Sequence, residues 1–387
     1  MGGGALSGVI VLDLSRMLPG AVLDRVLLEL GARVLKVESP AGGDPMRALP
    51  PVQPPGEGEG GGGGIGMAFA AFLGGAESLA LDLARPAAAA AVRRLAARAD
   101  VLVESFRPGT LARWGLDPAQ LAAENPRLVV CSLSSFGAQP PGRDQVGHDL
   151  NFAAQSGLLA LLAAGATPHV PGAQLVDVTA GILAGCSILA ALLERERTGR
   201  GRVLEQPLAT GAVPFLAWAW AEARGEPTQT RASSWLSGGA PAYRLYDCAG
   251  GEPVALGAIE PKLWLAFLQL VDLPELAAAA LDAGAAGRAA AARIQERLAL
   301  RPRADWLAGA AALGVPLSPV NDPAAGLRAP YYAARGGAGA PWLGLTSSEA
   351  GAQPRPPARA PTLGEHTDAV LREAGLSPEE IAAARGG

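Results

Sequence analysis

The chain has 387 residues, 49% of them hydrophobic, and a formal net charge of -4. That is enough apolar material for two domains or one elaborated one, and the mildly acidic balance excludes a nucleic-acid binder, which needs a basic face for phosphates. Cys131, Cys186 and Cys248 are odd in number, far apart and without metal-ligand spacing, so free thiols in a reducing cytoplasm are expected. Apolar runs such as Ile182 to Leu193 read as too short or too interrupted to span a bilayer, and the N-terminus runs into a strand pattern with no signal peptide.

GVIVLDL (Gly8 to Leu14) is a buried-strand run, and Ala21 to Gly31 reads as a helix closed by its glycine. ARVLKVE (Ala32 to Glu38) is the next strand. Pro50 to Gly66 is rich in proline and glycine and reads as a surface loop. Pro86 opens an alanine-rich helix through Arg98, and DVLVES (Asp100 to Ser105) and Leu128 to Ser134 are further strands. Strands alternating with helices predict a mostly parallel sheet covered on both faces. The turn after the first strand, SRMLPG, lacks the glycine fingerprint of a dinucleotide site. Gly147 to Leu162 and Gln174 to Arg197 read as long helices. Strands at Tyr243 to Cys248 and Pro253 to Ile259, then helices to about Gly314, suggest a smaller second domain. VPLSPV (Val315 to Val320) returns to strand, Ala333 to Pro361 reads as loop, and the tail carries two short helices.

Four positions could carry chemistry. His148, one of only three histidines, stands in VGHDLNF at the mouth of a helix. If that helix starts near Asp149, its first turn offers unpaired N–H groups and a partial positive charge, a cradle for a developing oxyanion. Asp177, in LVDVTAGILAG, is either a helix cap or a functional carboxylate, since an unpaired charge among apolar residues is costly. Glu260, in LGAIEP, is either a solvated acid at a strand-to-helix junction or a partner for another group. Arg107, in ESFRPGTLARWGLDP, follows a strand, where an arginine can clasp a phosphate or form a surface ion pair. His148 and the two acids make no metal motif.

Several stretches together resemble family III CoA transferases, and among them the α-methylacyl-CoA racemases. They are LSGVIVLDLSR, LLELGARVLKVESP, ADVLVESFRPGTLARWGLDP, VGHDLNF, LVDVTAGILAGCSILAALLERERTGRGRV, SGGAPAYRLYDCAGGEPVALGAIEP and PTLGEHTDAVLREAGLSPEEI. The resemblance implies an α/β fold: a large domain with a Rossmann-like, mostly parallel sheet, a smaller α+β domain, and an interlocked homodimer. Its expected boundaries are 1–205 for the large domain, 206–240 for a linker helix region, 241–314 for the small domain and 315–387 for the return to the large one. It implies catalytic roles for His148, Asp177 and Glu260, and an oxyanion contact from the Asp149 backbone. The implied reaction inverts the α-carbon of a 2-methylacyl-CoA or related acyl thioester by proton transfer through an enolate. CoA is then part of the substrate, and neither a further cofactor nor a metal is called for. The same fold would also serve a CoA transferase with an aspartyl intermediate at Asp177. An epimerase acting on a carrier-protein thioester and a non-catalytic thioester-binding protein are further alternatives.

The chain departs from the family in two places. A basic run that normally precedes LALDL is replaced by FLGGAES (Phe72 to Ser78), and a racemase arginine is Ser39 here. Both changes remove positive charge from the CoA head-group side. Arg107, Lys36, Arg85 and Arg47 are the cations expected to serve a phosphate instead.

Overall fold

The computed structural model describes residues 4–54, 64–163, 167–222, 235–334 and 358–386. The middle of the proline- and glycine-rich stretch and most of the expected loop between 333 and 361 lie outside them. The chain divides into a larger unit (Met1–Ala153, Ala173–Ala212 and Arg328–Gly387) and a smaller one (Ala154–Gly172 and Val213–Leu327).

The larger unit is built on six parallel strands. β1 (Ile10–Asp13), β2 (Arg33–Glu38), β3 (Glu77–Ala80), β4 (Val101–Glu104), β5 (Val129–Ser134) and β6 (Val203–Pro207) lie in the order β3-β2-β1-β4-β5-β6. This is the doubly wound Rossmann order, and strand order reverses at β1. The strands are near-continuous apolar runs because both faces are covered. Leu12 and Leu102 face a layer holding Val92 and Leu371, while Val11, Val101 and Val103 face one holding Leu23 and Ile188.

α1 (Met17–Glu29) starts four residues before the sequence reading placed it. Its Pro19 lies in the first turn, where a missing N–H costs nothing. Helix α2 (Pro86–Ala96) covers one face together with two C-terminal helices, Thr367–Glu373 and Pro378–Arg385. α3 (Asp149–Gln155) is short, because the predicted long helix breaks at Gly157, whose φ of 87° few other residues adopt.

α4 (Leu175–Thr198) is the long core helix on the other face. By length and composition it could cross a bilayer, contrary to the expectation from its apolar runs. Its buried positions explain that composition: Val176, Ala180, Ala184 and Ile188 are fully enclosed. A Cβ on Gly181 would stand 2.6 Å from the Pro19 carbonyl oxygen and 2.9 Å from Val22 Cβ, and one on Gly185 3.0 Å from Val26 Cγ1. Contacts that advance together along both chains mean that α1 and α4 run in the same direction, with their N-terminal ends side by side.

The smaller unit carries an antiparallel sheet of β7 (Tyr243–Asp247), β8 (Pro253–Gly257) and β9 (Leu317–Pro319), with β8 central. Helices α5 (Pro261–Val271), α6 (Ala285–Leu298) and α7 (Arg303–Leu313) supply Trp264, Phe267, Ile294 and Trp306 to its core. The strand in VPLSPV was expected to return to the large domain. It pairs instead with β8, Val254 opposite Pro319, because β8 needs a second neighbour to satisfy its other edge.

Gly181→Ala should lower the thermal midpoint, reflecting about 1–3 kcal/mol of overpacking where neither backbone can yield. Gly172→Ala, whose new Cβ would meet nothing within 4 Å, is the matched control and should leave the midpoint unchanged in differential scanning calorimetry.

Candidate active site

The site grows from two helix starts. β5 leads to a loop that ends in Gly147-His148-Asp149 and enters α3. Glycine is needed at 147, since a Cβ there would lie 2.9 Å from the Phe152 ring and 3.1 Å from that of Phe136. His148 occupies the cap position of α3. Its carbonyl accepts from the N–H groups of Asn151 and Phe152, at 2.8 and 3.1 Å, and its own N–H donates to Asn151 Oδ1 at 3.0 Å. Backbone and cap thus fix the residue, while its imidazole stays exposed to solvent.

Asp149 points its carboxylate at the other helix. Its Oδ1 accepts from the backbone N–H groups of Val176, at 2.7 Å, and Asp177, at 3.0 Å. The residue at the cap position of α4, Gln174, makes no side-chain cap, so Asp149 caps α4 from outside it. A carboxylate at a helix N-terminus satisfies otherwise orphaned donors and meets the positive end of the dipole. The sequence left Asp177 open between cap and functional carboxylate. It is the third helical residue and caps nothing, because Asp149 already does so. Only the backbone of Asp149 was expected to matter; its side chain had no sequence signal, since the link is between residues 27 and 28 positions apart.

The consequence is electrostatic. Burial pushes the Asp177 carboxyl up, the neighbouring Asp149 charge pushes it further, and His148 partly offsets both, leaving it at about 6. Asp177 Oδ1 is buried and has no hydrogen-bond partner among the described residues. A carboxyl with a near-neutral pKa beside a histidine is suited to give and take protons at ordinary pH.

The other candidates fall out unevenly. Arg107 is exposed in the turn after β4, next to β1, outside the carboxyl ends of the strands. Ligands of open α/β sheets bind there, at the reversal of strand order. Arg85 is exposed but follows the edge strand β3, and its guanidinium lies over Gly386. Lys36 is a correction. Only 1% of its side chain is exposed, and its Nζ lies 2.6 Å from Asp13 Oδ2, so it offers nothing to a phosphate. Arg47 is likewise spent, its Nε 2.6 Å and its Nη2 2.7 Å from the Glu38 carboxylate and its plane over the Phe69 ring. Glu260 belongs to the smaller unit, exposed immediately before α5, at the strand-to-helix junction the sequence indicated. Arg16 was not singled out from the sequence. It is exposed above the Phe106 ring, with its backbone N–H on Ser105 Oγ at 2.9 Å, and so joins the turns after β1 and β4.

Residues 6–367 match the family described as CoA-transferase family III. The chain belongs to CoA-transferase family III. It is 31% identical to the α-methylacyl-CoA racemase of Homo sapiens, over 97% of this chain and 95% of that one. It is 30% identical to the acetyl-CoA:oxalate CoA-transferase of Acetobacter aceti, over 86% of this chain and 85% of that one. Among solved structures, a CAIB/BAIF family protein from Brucella suis superposes with a TM-score of 0.81 at 30% identity, covering 96% of this chain and all of that one. Family III therefore accounts for the fold, while its named members carry more than one chemistry.

Two measurements probe the pair of carboxylates. Asp149→Asn keeps an acceptor for α4 but removes the charge beside Asp177, so the Asp177 carboxyl should titrate below its value of about 6 in carbon-detected NMR. Asp177 itself is held above its ordinary 3.8, so the folded state binds the proton more tightly between those two values. Its contribution to stability is therefore full below pH 3.8 and lost as pH rises through 6. Asp177→Asn should melt higher than the wild type at pH 8, and the gap should close towards pH 4.

Proposed function

We propose that this chain is an α-methylacyl-CoA racemase-type isomerase, inverting the α-carbon of a 2-methylacyl thioester by removing a proton from one face and returning one to the other. The observation that carries this reading is Asp177, raised to about 6 next to His148. The likeness to named racemases over nearly the whole chain supports it.

The chemistry needs two groups of opposite protonation state flanking one carbon. One removes the α-proton, and the electron pair of the broken C–H bond moves onto the thioester oxygen as an enolate. The other then donates a proton to the opposite face. Thioesters enolise more readily than free acids because no carboxylate charge resists the new one. A carboxyl near 6 is substantially in both forms around neutrality, so Asp177 serves as base in one direction and acid in the other. His148 takes the facing role. The Asp149 backbone N–H, in the first turn of α3, is assigned to the enolate oxygen. Glu260 is assigned to orienting the imidazole and stabilising its charged form. Proton transfer of this kind is supplied by side chains alone, without a separate cofactor. Arg107 and Arg16, exposed at the reversal of strand order, are the cations best placed for the phosphates of CoA. An interlocked homodimer is part of this reading. The helix Val213–Glu222 of the smaller unit exposes Phe215, Trp218 and Trp220, an apolar face suited to a second chain.

Incubation of a single 2-methylacyl-CoA enantiomer in deuterated water should give one deuterium at the α-carbon together with epimerisation, read by mass spectrometry and chiral chromatography. Asp177→Asn and His148→Ala should each cut the rate by about 10²–10⁴-fold, with Glu260→Gln the milder loss. In both directions kcat/KM should follow one and the same bell-shaped pH profile, because the two competent forms carry a single proton between Asp177 and His148 and differ only in which group holds it. Transfer of CoA to an added carboxylic acid, with a hydroxylamine-trappable adduct at Asp177 and no deuterium gained, would assign the chain to transferase chemistry instead.

A further inference from the structure

Beneath the turn after β1 lies a closed group of charges that the proposed reaction does not use. Lys36 Nζ reaches Asp13 Oδ2 at 2.6 Å, the Ser15 carbonyl at 2.9 Å, Asp44 Oδ2 at 3.5 Å and Asp24 Oδ2 at 3.9 Å. All four side chains are at most 1% exposed. Burial works against a charge on Asp13, but the Lys36 ammonium and the hydrogen bonds around it hold that carboxyl below its usual range. Burial and the Asp13 charge push Asp24 well above it. Such a cluster is expensive to bury, and removing one partner leaves the rest uncompensated.

What the cluster grips is the backbone of Ser15 to Met17. Asp13 Oδ1 accepts from Ser15 N–H at 2.8 Å, and Lys36 donates to the Ser15 carbonyl. The two oxygens of Asp44 accept from Met17 N–H at 3.4 and 3.2 Å. Met17 has φ of +64°, one of only two non-glycine residues with positive φ among those described. A methionine does not adopt that conformation unless its surroundings impose it. The turn stands at the carboxyl end of β1, where strand order reverses. It leads directly into α1, whose N-terminal end lies beside that of α4: Pro19 touches Gly181, one helical turn beyond Asp177. Arg16 and Met17 are both exposed there.

We infer that Lys36, Asp13 and Asp44 are positioning residues that lock the Ser15–Met17 turn into a strained shape fitted to the CoA arm of the substrate, next to Asp177. This rests on the proposed function for the identity of the ligand but not for the reaction. Strain at a ligand-facing turn is retained where relaxation would spoil the fit. Lys36 thus acts on the carrier through the backbone rather than as a cation for its phosphates.

The test uses the full-length protein and CoA itself, with binding followed by titration calorimetry. Asp44→Ala removes the acceptor of Met17 N–H and should weaken CoA binding by at least about tenfold, the order expected when a buried hydrogen bond holding a conformation is lost. On a turned-over acyl-CoA the loss should fall on KM and leave kcat within a few-fold. Asp44→Asn keeps one acceptor and should lie in between. Adding Met17→Gly to Asp44→Ala should recover most of the affinity, because glycine takes φ near +64° without cost. A merely structural role for the cluster predicts no such rescue. Circular dichroism confirms folding of each variant, and should Asp44→Ala unfold, Asp44→Asn with and without Met17→Gly carries the same comparison. Unchanged affinity in a folded Asp44 variant, or a loss that glycine does not repair, overturns the inference alone. Failure of the wild type to bind CoA overturns the proposed function and this inference with it.

Discussion

One carboxylate capping a helix from outside organises the larger unit's chemistry. Asp149 begins α3, yet its side chain serves the first N–H groups of α4. A helix normally recruits its cap from its own cap position, and α4 has glutamine there with no side-chain bond. Borrowing the cap ties the loop after β5 to the start of the core helix. It holds His148 and Asp177 in one place and sets two carboxylates against each other. The Asp149 carboxylate has two backbone donors at a helix start, whereas Asp177 has burial without a hydrogen-bond partner for its Oδ1 among the described residues, and its carboxyl is pushed up.

A second constraint sets where that pair sits on the sheet. Gly181 lets α4 approach the backbone of α1 more closely than any side chain would allow, and Gly185 makes room for the Val26 side chain one turn on. Because α1 starts at the carboxyl end of β1 and the two helices run the same way, Asp177 is delivered to the point where the strand order reverses. The start of α4, with Asp177, thus stands at the crevice of the doubly wound sheet. The departures from the family's basic positions act on this same edge. Phe72 to Ser78 and Ser39 bring no positive charge, Lys36 and Arg47 are neutralised internally, and the exposed guanidiniums of Arg16 and Arg107 remain.

Much of this was legible in the residues. Parallel strands announce themselves as apolar runs because both faces are covered, so β1, β2, β4 and β5 were placed within a residue or two. The start of a helix at Asp149 follows from a glycine, a cap position and an apolar stripe. Other features were misread for local reasons. Pro19-Gly20 looks like a turn but sits in the first turn of α1, and Gly157 breaks a helix whose apolar pattern runs on through it. The strand of VPLSPV carries no mark of which sheet it will join; only the open edge of β8 decides that.

By itself the sequence determined the alternation of strands and helices, the family resemblance and the residues His148, Asp149, Asp177 and Glu260 as candidates. Those depend on local pattern and residue type, which a single chain displays directly. Tertiary structure decided what each charge does. Lys36 reads as a free cation near a ligand-facing strand end, but β2 is an inner strand, and three aspartates from β1, α1 and the loop after β2 enclose its ammonium. Asp177 reads as a cap until the Asp149 side chain takes that place. Charge is written in the sequence, whereas its pairing and its proton affinity depend on neighbours brought from elsewhere in the chain and on the loss of water around them.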